Sequence, residues 1–272
     1  MVAGMTVLAS KAVRSWRMAA ALLLALATPA VAETPPVAAK DDIVLGALVA
    51  EFLLAVAVSL DEPVSGENPE YGKNTIAGAA QLSRLVITDE PAPQNTDLDL
   101  ALGSFLAFAG GLPKEAKAPL TPKSARDFAC HLVGSDPAGF AELGRRAGID
   151  ADGAAACASQ FEKAAARWNE RVSSFRLGPG LMPPLGSGPL YVEIAPVFNP
   201  ANEAIADTLR SSQLYDLLAE KLNAELAMPS GRVLLVTECG GTHAFYNPER
   251  REIVLCDERI AAWIAAANAG EP

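Results

Sequence analysis

Arg232-Val-Leu-Leu-Val-Thr-Glu-Cys-Gly-Gly-Thr-His-Ala-Phe-Tyr-Asn-Pro-Glu-Arg-Arg-Glu-Ile-Val-Leu-Cys256 reads as a strand followed by a hairpin. Arg232 to Thr237 is a short apolar run closed by Glu238 and a glycine pair, the length of a strand rather than of a helix. His243 to Tyr246 and Glu252 to Cys256 form the two arms of the hairpin, across the turn Asn247-Pro-Glu-Arg250. A terminal helix follows from Glu258 to Ala267. Upstream, Leu190 to Val197 reads as another strand. Ala201 to Leu226 carries helical periodicity through Leu209, Leu214, Leu217, Leu218 and Leu222. The order of this half is strand, helix, strand, hairpin, helix.

The preceding half has a different character. After the Pro-rich stretch Glu33 to Ala39, residues Ile43 to Leu60 form an apolar segment interrupted only by Gly46, Glu51 and Ser59. Its length suits a membrane span, but a mid-segment carboxylate is costly in lipid. Asp41-Asp42 as an N-terminal capping pair and a stop at Asp61-Glu62-Pro63 predict instead a buried helix of a soluble domain. Further helices are expected at Thr75 to Thr88, Leu98 to Ala109, Ser124 to Val133, Pro137 to Ala147 and Ala151 to Phe175. The Pro/Gly-rich stretch Leu177 to Pro189 then divides the chain. The expected fold class is α+β: a helical half over 33–176, a linker over 177–189, and a strand-helix-hairpin half over 190–272.

Lys11, Arg14 and Arg17 precede the apolar run Met18 to Ala27, and Ala30-Val31-Ala32 offers small residues for cleavage. This is the pattern of a secretory signal peptide over 1–32, with Glu33 as the first mature residue. The expected location is the periplasm or the exterior, with no membrane association after cleavage. Removing those three bases leaves 19 Lys+Arg against 32 Asp+Glu, a formal charge of −13. A nucleic-acid or anionic-membrane partner is disfavoured. The four cysteines allow three pairings. Local bridges, Cys130 with Cys157 and Cys239 with Cys256, are expected, because each pair brackets one supersecondary unit and export permits disulfides.

Glu238-Cys-Gly-Gly-Thr-His-Ala-Phe-Tyr-Asn-Pro248, followed by Arg251-Glu-Ile-Val-Leu-Cys256 and Glu258, resembles the signature of a bacterial zincin-like metallopeptidase family, classed as a conserved domain of unknown function. Where that family has Asn and Tyr, this chain has His243 and Asp257. Leu214 to Pro229 also fits it. Cys130-His-Leu-Val-Gly-Ser-Asp-Pro137, Phe140, Cys157 and Trp168 resemble the family's C-terminal portion.

The resemblance implies a zinc centre on an H-E-x-x-H helix, placed after the hairpin and followed by a Pro-x-x-Gly turn. In that motif two imidazoles one helical turn apart hold the metal, and the glutamate between them activates water. Aligning Pro63 to Gly66 with the turn puts Ala50-Glu-Phe-Leu-Leu54 on the motif, so only Glu51 remains. The halves are also reordered. The chain is either a circular permutation, or a degenerate C-terminal half followed by the first half of a second copy.

His131 and His243 are the chain's two histidines, and they belong to different segments. An active zinc site assembled from His131, His243 and Glu51 is the alternative to a degenerate protein that holds no cofactor. Glu51 is expected to be a packed structural carboxylate, vestigial as a base. Gly66, Gly72, Lys73 and Asn74 approach a phosphate loop, but five residues separate the glycines and Asn74 stands where Ser or Thr is needed. The expected role is that of a pseudoenzyme binding a peptide or protein partner, by analogy with the edge strand that borders zincin clefts.

Overall fold

A computed structural model of the chain describes residues 37–60, 73–87, 95–112, 119–173, 175–177 and 182–269. The signal segment 1–32, the stop at Pro63 and the loop from Gly66 to Gly72 lie outside the described residues. The architecture is α+β. Its first half carries helices α1 (Val37–Leu60), α2 (Lys73–Ile87), α3 (Asn95–Gly111), α4 (Pro122–Ser135), α5 (Ala141–Arg146) and α6 (Ala151–Ser173). In the second half β1 (Ser187–Gly188), β2 (Leu190–Ile194), α7 (Pro200–Ser212), α8 (Leu214–Glu225), β3 (Met228–Pro229), β4 (Arg232–Thr237), β5 (Ala244–Asn247), β6 (Glu252–Cys256) and α9 (Asp257–Ala269) follow in order.

Helix α1 is apolar all round because it is surrounded. Every side chain from Val44 to Val58 except Gly46 is among the buried ones. The span Lys40–Leu60 is long and apolar enough to cross a membrane, yet 89% of its apolar window is buried inside the protein. Its start corrects the sequence reading. The helix opens at Val37, so Asp41 and Asp42 sit within it rather than capping it, because Val37-Ala-Ala-Lys40 contains nothing that breaks a helix.

Two glycines set the helix spacing. A Cβ on Gly46 would lie 2.0 Å from the Ala101 carbonyl oxygen of α3, and one on Gly78 would lie 2.2 Å from the Trp168 ring of α6. Close approach of α1 to α3 therefore requires hydrogen at position 46. Helix α4 is capped by Thr121, whose hydroxyl accepts from Ser124 N–H, with Pro122 in its first turn. The disulfide Cys130–Cys157 then ties α4 to α6. The helix expected from Pro137 is shorter, because Asp136 turns the chain first. Its side chain accepts from Gly139 N–H and its carbonyl from Phe140 N–H, and α5 starts at Ala141.

The sheet has the order β2-β4-β6-β5, with β2, β4 and β6 parallel and β5 antiparallel at the edge. Strand β4 alternates, turning Arg232, Leu234 and Val236 inward. Strand β2 ends at Ile194 rather than Val197, since Pro196 has no N–H to donate. At its start, Asn223 on α8 accepts from Leu190 N–H and donates to Leu190 C=O, standing in for a neighbouring strand. The long helix expected over 201–226 is two helices. Gln213 takes a left-handed conformation (φ 53°), and Ser211 and Ser212 turn their hydroxyls back onto the preceding turn. Leu214, Leu218 and Leu222 are thereby re-aimed into the core.

The Pro/Gly-rich stretch is more than a tether at its ends. Leu177 N–H donates to Glu225 C=O, Ala227 N–H donates to Phe175 C=O, and β1 pairs with β3. One core spans both halves. Phe52 of α1 meets Tyr215 of α8 at 5.5 Å between ring centroids, and Phe105 of α3 meets Trp263 of α9 edge-on at 4.8 Å. Arg232 donates to the Ser59 carbonyl at the end of α1 and lies 4.4 Å from the Tyr246 ring centre. A cation at a helix C-terminus is favourably placed.

Candidate functional site

Glu51 lies in the middle of α1, where that helix packs against β5, β6 and α9. Its surroundings are apolar: Val44, Ala47 and Leu48 on its own helix, Ile260 and Ile264 on α9. A bare carboxylate there would be expensive to bury. Two donors from α9 offset that cost. Arg259 Nε donates to Glu51 Oε2 at 2.6 Å, and Trp263 Nε1 donates to Oε1 at 2.7 Å. Arg259 and Trp263 stand four residues apart, so one helical face delivers both. The guanidinium reaches further, donating to Pro119 C=O at 2.9 Å and to Thr242 C=O at 3.4 Å. Only 1% of the Glu51 side chain and 7% of Arg259 reach solvent.

This geometry leaves Glu51 poorly suited to activate water. Each oxygen holds a donor, and the face toward α9 is filled by Trp263. Ala50 and Leu54, which flank it on the motif, are fully buried in the hydrophobic core.

The two histidines lie on different elements. His131 is buried on α4 beside the disulfide, its ring 6.2 Å from Phe161 of α6, and its Nδ1 has no hydrogen-bond partner. Burial pushes its pKa down, against a smaller opposing pull from Asp127. His243 is exposed just before β5, with its ring folded over Gly241 and its backbone carbonyl accepting from Cys256 N–H.

The donor chemistry of a zinc centre can be checked against these positions. Among the described residues, one group offers three potential ligand atoms within 4.8 Å: Cys239, Cys256 and Glu258. The two sulfurs are joined in a disulfide. Glu258 accepts from the N–H groups of Cys239 and Gly240, which holds the loop after β4. Neither histidine nor Glu51 belongs to the group, and a disulfide has no thiolate to give a metal. Among the described residues, this group does not offer the ligand set of a zinc centre.

At the carboxyl ends of the parallel strands the polar groups follow another logic. Glu238, after β4, accepts from Phe198 N–H, Asn199 N–H and Asn202 Nδ2, fastening the start of α7. Those bonds, led by the one from Asn199, hold its pKa below the usual range. Sequence reasoning named Glu238 and Glu258 within one motif and passed over Arg259 and Trp263. A signal for the last two was available: an Arg and a Trp four residues apart on a helix otherwise rich in alanine.

No curated protein and no solved structure matches the chain. Residues 195–269, from the end of β2 to the end of α9, match the model of a family described as "Putative metallopeptidase", a segment that holds the hairpin, Arg259 and Trp263 but neither Glu51 nor His131.

Proposed function

We propose that this chain is an exported metallopeptidase-like protein without a hydrolytic zinc centre, whose edge strand binds an extended peptide or an unfolded segment of a partner protein. The observation that carries the reading is the engagement of both Glu51 oxygens by Arg259 and Trp263. A general base must reach the water whose proton it takes, and only 1% of this side chain meets solvent. The two disulfides suit an oxidising compartment, which supports export.

The binding role rests on β5. It is the outer strand of the sheet, and Cys256 N–H donates to His243 C=O. In an antiparallel pair the hydrogen bonds alternate, so the backbone groups of Ala244 and Tyr246 point away from β6. Phe245 and His243 are exposed beside them. A strand added there would find backbone donors and acceptors already aligned.

The test is affinity selection from a library of extended peptides on the mature protein. Selected peptides are expected to lose at least about tenfold in affinity when alternate amides are N-methylated, and to stay intact with added zinc. Failure to retain any peptide, or cleavage abolished by a chelator, contradicts the proposal.

The reordered halves fit a circular permutation better than a truncated tandem. Helix α1 completes the core of the sheet half, and Lys40 Nζ near its start donates to Asn268 C=O near the end of α9 at 3.4 Å. The first and last described helices are therefore neighbours. A chain joined from Ala269 to Val37 by a short Gly/Ser linker and opened at Met182 to Gly186 is expected to fold. Its thermal midpoint should fall within about 10 °C of the parent, and loss of cooperative unfolding would favour the tandem origin.

A further inference from the structure

Asp257 opens α9 immediately after Cys256, at the carboxyl end of β6. It is 1% exposed, and its Oδ1 accepts no hydrogen bond. A buried, unsatisfied carboxylate oxygen in a well-packed region calls for an explanation. Its charged neighbours come from three places. Glu258 is next to it on α9, Glu238 ends β4, and Arg210 approaches from α7. Both glutamates already hold loops: Glu238 the turn from Phe198 to Asn202, Glu258 the turn at Cys239 and Gly240. Arg210 is itself engaged, by Asp207 and the Ala195 carbonyl.

We propose that Asp257 is a proton-operated latch for the two loops at the carboxyl end of the parallel strands. When neutral, it adds no charge within the electrostatic reach of Glu238 and Glu258, and both loops are held. When ionised, it places a third negative charge beside two carboxylates in a poorly solvated position, and release of either loop relieves the repulsion. Burial, followed by Glu258 and Glu238, raises its pKa to about 6, with Arg210 pulling the other way. The sign is therefore fixed. The closed form binds the proton more tightly than an open form with an ordinary carboxylate, so closure is strongest in acid and weakens as pH rises to about 6. An exported protein meets such changes directly. The loops so controlled border the hairpin, because the second one leads through His243 into β5.

Amide hydrogen exchange on the mature protein, corrected for intrinsic rates, tests the latch at Phe198, Asn199, Cys239 and Gly240. Their protection is expected to fall about tenfold between pH 5 and pH 7.5, as linkage to a pKa moving from about 4 to about 6 requires. In Asp257→Asn, which carries no charge at either pH, the change should stay within about twofold. Equal protection at both pH values in the parent, or a tenfold fall that persists in Asp257→Asn, overturns the proposal. The parent alone supplies a second readout: the Asp257 carboxyl carbon shift should titrate near pH 6 together with the loss of protection, and a midpoint near 4 would also overturn it.

Discussion

Replacing Arg259 with Met is expected to cost about 3–5 kcal/mol of folding free energy, because it removes the guanidinium from a buried ion pair with Glu51. The loss should appear as a lower urea midpoint with little change in slope. It includes the hydrogen bonds to Pro119 and Thr242, through which Arg259 joins the helical half, the loop before β5 and α1. The double variant Glu51→Leu/Arg259→Met gives the contrast. Removing both charges from an apolar site should recover most of the loss, and can equal or exceed the parent. Equilibrium unfolding of the parent, both single variants and the double variant yields the coupling energy directly. A cost below about 1 kcal/mol for Arg259→Met would place the pair in solvent-like surroundings and contradict its structural role. A glutamate kept for catalysis would behave otherwise, since substitution at active sites often raises stability.

The second large effect is expected at Gly46. An alanine in its place would raise helix propensity by about 1 kcal/mol. The new Cβ would nevertheless meet the Ala101 carbonyl oxygen at 2.0 Å and its carbon at 2.5 Å. These are backbone atoms of a packed helix and cannot swing aside as a side chain would. Gly46→Ala should therefore destabilise by about 2–3 kcal/mol, at the upper end of overpacking costs. Thermal unfolding measures it. A midpoint at or above that of the parent would show that α1 and α3 lie further apart than described.

The strand and hairpin were readable because their signals are local. Val233 to Val236 is too short for a helix and too apolar for a loop, and Asn247-Pro248 marks the turn; Asn247 in fact accepts from the N–H groups of Glu249 and Arg250. Both disulfides were readable for the same reason, since each closes within one supersecondary unit. The break at Gln213 was not, because leucines continue at helical spacing on both sides and the left-handed residue is not a glycine. What holds Glu51 was hidden for a different reason. Arg259 lies 208 residues away, and no local pattern reports a partner at that separation. Position 51 could be identified as a carboxylate without its histidines, whereas its conversion to a core ion pair needed the packing of α9 on α1. The short pairing of β1 with β3 likewise depends on tertiary placement, since Ser187-Gly188 has no strand propensity of its own.

The most direct test is the zinc content of the purified mature protein, by elemental mass spectrometry after exposure to zinc and desalting. The arrangement of Glu51, His131 and His243 predicts far less than one zinc per chain. About one retained zinc per chain, lost on substituting His131 and His243, would contradict it.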